Sequence, residues 1–283
     1  MRARTVARPV RLRGRGLFSR VPVRLCARPA PAGTGLLFSF SGRPPWNKLS
    51  AGILNARAGG HCTTVARGRL RVRVVEHLLA ACAGLGITDL TLECPNGEPP
   101  FGDGSCRHFT RAFIRAGFRD VAGPSRLLAL REPVLVTSGD GFAFARPARG
   151  LHVTCVTDFP WEGLQRQDWV RDPGRFEREL AGARTVAYTD VRPDRLRNAL
   201  GLRFALRRRG GFVVPACPRL PAETCRHKLV DLIGDLALLG GRLAAEVFAF
   251  RPGHRLNLKL ARRLADQSFD RGEQKGESPG CWN

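Results

Sequence analysis

Residues 226–236 read R-H-K-L-V-D-L-I-G-D-L, and residues 74–82 read V-V-E-H-L-L-A-A-C. In the first stretch His227, Asp231 and Asp235 recur every four residues. That interval is about one turn of an α-helix, so the three polar side chains line one stripe. Leu229, Val230, Leu232, Ile233, Leu236 and Leu238 make the rest of the helix apolar, as in a helix surrounded by core. Carboxylates inside such a helix need a partner, because an unpaired buried charge is very costly. A metal ion meets that need. The second stretch sets Glu76 beside His77. Two histidines and a carboxylate leave zinc an open position for water, the arrangement of a hydrolytic site. His77 and His227, with one of the nearby carboxylates Glu76, Asp231 and Asp235, are therefore the candidate metal ligands.

Around these two helices the chain shows the same plan twice. Residues 4–13 and 21–28 alternate apolar and basic side chains, as half-exposed strands do, and 36–40 reads as a short strand. Residues 41–60, rich in Gly, Pro and Asn, read as an irregular insert. A helix from Glu76 stops at Gly84 and Gly86, a strand covers 88–94, a loop ends in the turn Asp103-Gly104-Ser105, and a helix covers 106–116. Residues 119–126 are the best boundary candidate. Beyond them strands are expected at 127–137, 141–146 and 151–158, a helix near 172–182, the long helix at 223–239, a strand at 243–250 and a helix at 256–265, just after His254. This reading gives an α+β protein of two similar domains packed face to face, with the site between them. The domains are 1–120, with an insert near 41–65, and 126–266, with an insert near 187–216. The polar stretch 267–283 is expected to be a flexible tail.

Composition sets limits. Apolar residues make up 43% of 283, enough for a packed core. There is no apolar run of membrane-spanning length, and the N-terminus does not read as a secretory signal. The nine cysteines show no metal-finger or disulfide-framework spacing, so free thiols in a reducing cytosol are expected. The net charge of +23 is almost wholly arginine, with lysine only at 48, 228, 259 and 275. The arginines are scattered and the single tyrosine leaves little aromatic platform. A nucleic-acid partner is therefore not expected, though a basic nucleic-acid-binding α+β module stays the rival from another class.

The stretch from Val75 through E-H-L-L-A-A-C, the later E98-P-P-F-G-D-G-S, A183-R-T, H227-K-L-V-D-L-I-G-D-L and G253-H-R-L-N together resemble one family. It is the zinc-dependent UDP-3-O-acyl-N-acetylglucosamine deacetylases of lipid A biosynthesis. The resemblance runs in order from near residue 5 to about 264. It implies two β-α-α-β domains, a cytoplasmic bacterial enzyme, and removal of the N-acetyl group from UDP-3-O-acyl-N-acetylglucosamine. It implies Zn2+ on His77, His227 and Asp231, although the same donors also accept iron. It further implies Glu76 as general base and His254 as a charged histidine that assists the departing amine, held by Asp235. Thr185 would hold the oxyanion, and Lys228 would lie near the substrate. Cys62 matches a cysteine close to the site that is not a ligand. A monomer is expected, with no membrane span and at most a transient contact with a membrane surface.

The chain departs from the family pattern in places. Phe18 and Arg20 stand where relatives carry His and Gly, Val74 where they carry Thr, and Val186 where Phe is usual. The segment 196–216, matching the insert that holds the acyl chain, is shorter and carries three consecutive arginines. Deacetylation of another acylated amino sugar is accordingly the alternative within the same chemistry.

Overall fold

Helix α1, Glu76–Gly84, buries every residue except Ala83, and a helix buried on all sides lies between other layers rather than on a surface. Its neighbours follow from the rest of the chain. The computed structural model describes residues 2–40, 47–188, 206–209, 212–215 and 217–268. Helices α2 (Arg107–Ala116), α3 (Glu223–Ala237) and α4 (His254–Ser268) complete the long helices among them.

Two sheets share one strand order. In the first, the spatial order is Val10–Arg15, Pro22–Pro29, Leu90–Glu93, Leu36–Ser39, Lys48–Ser50. In the second it is Val134–Ser138, Gly141–Pro147, Arg242–Phe250, His152–Phe159, Gly163–Val170. In each, the strand that follows a histidine-bearing helix enters the middle. It runs antiparallel to the second strand and parallel to the third. Leu127–Ala129 adds a short parallel pairing at the start of Arg242–Phe250. The fold is thus α+β, with the same connectivity in both halves.

α1 packs directly on α3, and Gly234 permits the contact. A Cβ on Gly234 would overlap the Glu76 carbonyl oxygen and sit 2.9 Å from its carbonyl carbon. The backbones therefore meet with no side chain between them, and the histidine-bearing starts of both helices are brought together. α3 lies on the strands His152–Phe159 and Gly163–Val170, while α4 covers Val134–Ser138 and Gly141–Pro147. Arg262 on α4 reaches across to donate from Nη2 to the Ala56 carbonyl at 2.7 Å. One continuous apolar core runs through both sheets and the helices.

Several expectations are refined. Residues 4–13 form two strands, Arg2–Val6 and Val10–Arg15. Pro9, which has no N–H to give a ladder, lies at the break. The 127–137 strand divides likewise, into Leu127–Ala129 and Val134–Ser138, just before which stands Pro133. The described part of 41–60 is not irregular. It holds strand Lys48–Ser50, a 3-10 turn and strand Ala56–Gly59, which opens a three-stranded sheet with Cys62–Arg67 and Leu70–Arg73. The boundary candidate 119–126 is mostly strand, because Phe118–Pro124 pairs antiparallel with Arg2–Val6. The helix near 172–182 is a turn capped by the Asp172 side chain on the Arg175 N–H, running into a π turn at Phe176–Leu180. The strand Gly163–Val170 was not expected at all. Of the second insert, Ala187–Tyr188, Leu206–Arg209 and Phe212–Pro215 form a small sheet. Residues 189–205 and the tail from 269 lie outside the described residues.

Candidate active site and metal centre

The crossing of α1 and α3 collects the predicted residues. His77, His227 and Asp231 are all buried, and one donor atom from each lies within 4.8 Å of the others. Asp231 Oδ1 is 3.6 Å from His77 Nε2 and 3.3 Å from His227 Nε2. The two imidazoles meet edge to face at 4.9 Å, and Phe101 stacks on the outer side of His77 at 5.9 Å. His227 Nδ1 donates to the Ala183 carbonyl at 3.0 Å. A carbonyl can only accept, so the neutral ring keeps its lone pair on Nε2, toward Asp231. Burial holds the His227 pKa down to about 4, so the ring is neutral at physiological pH.

Asp231 Oδ1 is buried and has no hydrogen-bond partner among the described residues. Its other oxygen, Oδ2, accepts from Lys228 Nζ at 2.9 Å. Burial works against ionising this carboxyl. The adjacent His227 imidazole and the Lys228 ammonium outweigh it and hold the group well below the usual carboxylate range. A buried anionic oxygen left unpaired is a costly arrangement. Two imidazole nitrogens aimed at that same oxygen make it a cation site by the chemistry of its donors. The donor set fits a divalent metal.

A second cluster stands beside it. His254, the first residue of α4 rather than a loop residue before it, donates from Nδ1 to Asp235 Oδ2 at 2.8 Å. Asp235 is fully buried. Its Oδ1 accepts from the Thr63 hydroxyl at 2.6 Å, and its Oδ2 also accepts from Asn257 Nδ2 at 2.9 Å. Burial lowers the His254 pKa, but Asp235 and then Glu76 overcome it and raise it to about 9. Glu76 Oε1 lies 3.9 Å from His254 Nε2, and its Oε2 accepts from the Thr63 N–H at 3.1 Å. Burial is the main cause of a raised pKa at Glu76, opposed by His254 and His77.

One cavity joins the two clusters. Its lining includes Glu76, His77, Asp231, His254, Thr185 and Lys228. Asp235 stands behind His254, outside that lining. Thr185 is fixed by its N–H to the Gly104 carbonyl at 2.8 Å, and its hydroxyl donates to the Val186 carbonyl at 3.0 Å. The turn Asp103-Gly104-Ser105 thus supports Thr185 from behind. Just before Thr185, Arg184 binds the buried Glu223 through both its backbone N–H and its guanidinium. Cys62 also lines the cavity. Burial, and then the nearby Glu76, push its thiol up to about 11, so it stays protonated. No disulfide occurs among the described residues.

Three of the departures, Phe18, Val74 and Val186, line the same cavity. Phe18 lines it, with its N–H held at 2.9 Å by the buried Glu98 carboxylate, and the Arg73 guanidinium lies over its ring. Arg20 adopts φ 60°, where the family pattern has glycine. Val74, which also lines the cavity, adopts φ 56°, a costly left-handed conformation for a β-branched side chain. It sits just ahead of Val75 and α1.

Two residues join the site that the sequence reading did not single out. Thr63 ties Glu76, Asp235 and His254 together, and Asn257 holds Asp235 from one turn along α4. Asn257 had a signal, since it stands three residues after His254 on the same helix face. Thr63 had only its place beside Cys62.

An α+β fold that buries two histidines and a carboxylate around a cation site, with a glutamate and a charged histidine on the same cavity, defines an enzyme of the metal-dependent hydrolase class. The particular family follows from comparison with known proteins. Residues 3–266 match the family described as UDP-3-O-acyl N-acetylglycosamine deacetylase, and the chain belongs to that family. Relatives named UDP-3-O-acyl-N-acetylglucosamine deacetylase include that of Myxococcus xanthus, 35% identical over 92% of this chain and 85% of the relative. The one from Thermosynechococcus vestitus is 35% identical over 93% and 94%. That of an Anaeromyxobacter species is 36% identical over 95% and 90%. No helix among the described residues is long and apolar enough to cross a membrane.

Proposed function

We propose that this chain hydrolyses the N-acetyl amide of UDP-3-O-acyl-N-acetylglucosamine, the activity in its relatives' name, as a cytoplasmic monomer of lipid A biosynthesis. His77, His227 and Asp231 hold zinc in this reading. The observation that carries it is the unpaired Asp231 Oδ1 facing two imidazole Nε2 atoms, in a chain of this family. Zinc, when bound, supplies Lewis acidity that polarises an amide carbonyl and makes water more acidic.

The chain's own residues do the rest. Thr63 anchors Glu76 Oε2 and leaves Oε1 toward the cavity, so Oε1 takes the proton from the attacking water. Burial raises its pKa, which makes it a stronger base. His254, kept charged by Asp235, offers its Nε2–H to the departing amine. The Thr185 hydroxyl turns from the Val186 carbonyl to donate to the developing oxyanion. Lys228 occupies Asp231 Oδ2, which leaves Oδ1 for the metal, and its ammonium faces the substrate. Residues 1–120 and 126–266 act as two domains with the substrate between them, and the insert near 187–216 receives the acyl chain. Any contact with a membrane surface is at most transient.

Acetate release from UDP-3-O-acyl-N-acetylglucosamine, measured with zinc content on the same sample, tests this reading. Release with about one zinc per chain is expected. Full activity after thorough removal of metal would overturn it.

A further inference from the structure

A second cavity, larger than the one that holds Glu76 and the histidines, lies elsewhere among the described residues. It lies at the opposite ends of α1 and α3, has a volume of about 620 Å³, and shares no lining residue with the candidate active site. That size is in the range of small-molecule sites. Both halves build its wall, Ala83 and Gly86 from the end of α1 and Ile233 and Ala237 from α3.

Its charge is unusual. Five arginines line it, Arg2, Arg4, Arg126, Arg171 and Arg242, against two aspartates, Asp89 and Asp120, a net charge of +3. The aspartates are already engaged. Asp120 pairs with Arg4 Nε at 3.3 Å. Asp89 accepts from the Gly35 N–H at 2.9 Å and from the Thr88 hydroxyl at 2.6 Å. Arg171 has no such partner: its Nε is buried with no hydrogen bond among the described residues. Burial, and then the neighbouring charge of Arg242, lower its pKa to about 10. Arg242 is lowered too, by burial and then by Arg4. Arg171 and Arg242, set together against their own repulsion and one of them with a buried unpaired donor, lack an anion.

The helix dipoles do not account for this cluster. Cations do favour helix C-termini, but the last carbonyls there are taken by backbone. Leu85, Gly86 and Ile87 N–H groups close α1, and Leu238, Leu239 and Gly240 close α3. A dipole also gives no reason for arginines from four separate segments of the chain to converge.

We infer that this cavity is a second binding site, for a small polyanion bearing two or more phosphate or carboxylate groups, held chiefly by Arg171 and Arg242. Such a ligand would bridge the two halves at the end of the helices away from the catalytic residues.

The test is thermal unfolding of the full chain titrated with sodium pyrophosphate and, in a second arm, with citrate, each against sodium chloride of matched ionic strength. Wild type should rise by about 3–6 °C at ten times the Kd of the better anion, and the arm that gives the rise identifies phosphate or carboxylate chemistry. Lys228→Ala, altered at the other cavity, should show the same rise. Arg171→Gln and Arg242→Gln should each lose it. In low-anion buffer these two variants should melt no lower than wild type, because an unpaired charge has been removed, whereas structural arginines would leave them destabilised. The inference is overturned if neither anion raises the melting temperature beyond the salt control, if Lys228→Ala abolishes the rise, or if both arginine variants keep it.

Discussion

Replacing Gly234 with alanine tests whether the close crossing of α1 and α3 makes the site. Helix propensity alone favours alanine by about 1 kcal/mol. Against this, the new Cβ would overlap the Glu76 carbonyl oxygen and lie 2.9 Å from its carbon and 3.2 Å from its Cα. These are backbone atoms of a buried helix and cannot rotate away. Overpacking of this kind costs about 1–3 kcal/mol, occasionally more. The net loss should therefore be about 0–2 kcal/mol, a fall in melting temperature of up to about 8 °C. Function should suffer more. Relief requires the helices to part, which draws Glu76 and His77 away from His227 and Asp231, and a displacement of about 1 Å can lower a rate by roughly 100-fold. Zinc affinity by chelator competition and kcat/KM for acetate release measure the effect. Gly150→Ala is the control, since nothing lies within 4 Å of its added Cβ. A Gly234→Ala protein that melts higher than wild type and keeps its zinc affinity would refute the reasoning.

Three further substitutions probe the second cluster and the Arg184–Glu223 pair beside Thr185. Asp235→Asn removes the carboxylate that, against burial, holds the His254 pKa near 9, so the alkaline limb of the pH–kcat/KM profile should move to lower pH; an unmoved limb excludes His254 as its source. The same raised pKa stabilises the folded protein fully below about pH 6.5 and is lost as pH rises through about 9, so stability of the Asn variant should show a weaker decline across that window. Thr63→Val keeps the shape but leaves Asp235 Oδ1 without its 2.6 Å donor; a loss of about 1–3 kcal/mol in urea unfolding is expected, with a lower kcat, and an unchanged midpoint would show the bond to be dispensable. Glu223→Gln leaves the buried Arg184 charge unpaired, at a cost of about 3–5 kcal/mol. Burial raises the Glu223 pKa, but its bonds to Arg184 and Arg219 win and lower it. That contribution is present above pH 4.5 and lost as pH falls below it, so the variant should be less acid-sensitive than wild type; equal acid unfolding of the two would contradict the pairing.

Much of the fold was legible because its helices carry unambiguous patterns. The four-residue recurrence of His227, Asp231 and Asp235 on an apolar helix marked both the element and the chemistry. The role of Gly234 was not legible, since a glycine inside a helix pattern does not name the backbone it touches. Thr63 was hidden for a similar reason: its partners Asp235 and His254 lie 172 and 191 residues away. The strand Gly163–Val170 carries few apolar side chains, and its pairing with His152–Phe159 depends on backbone groups that sequence patterning does not report. Short basic strands such as Leu70–Arg73 are equally quiet, because their alternation ends before it can be distinguished from a loop.

The shared strand order has a consequence for how the chain is made. In each sheet the middle strand is the last to be synthesised: Leu90–Glu93 follows its four partners in the first, and Arg242–Phe250 follows its flanking hairpins in the second. Until Arg242 leaves the ribosome, the hairpins Val134–Pro147 and His152–Val170 each wait with an open edge facing the gap. Such edges invite pairing with other nascent chains. The interval ends only after α3 has emerged, so the segment that brings His227 and Asp231 also precedes, by a few residues, the strand that seals the sheet. Premature termination between 170 and 242 would therefore release an aggregation-prone fragment rather than a functional first half with a harmless remainder.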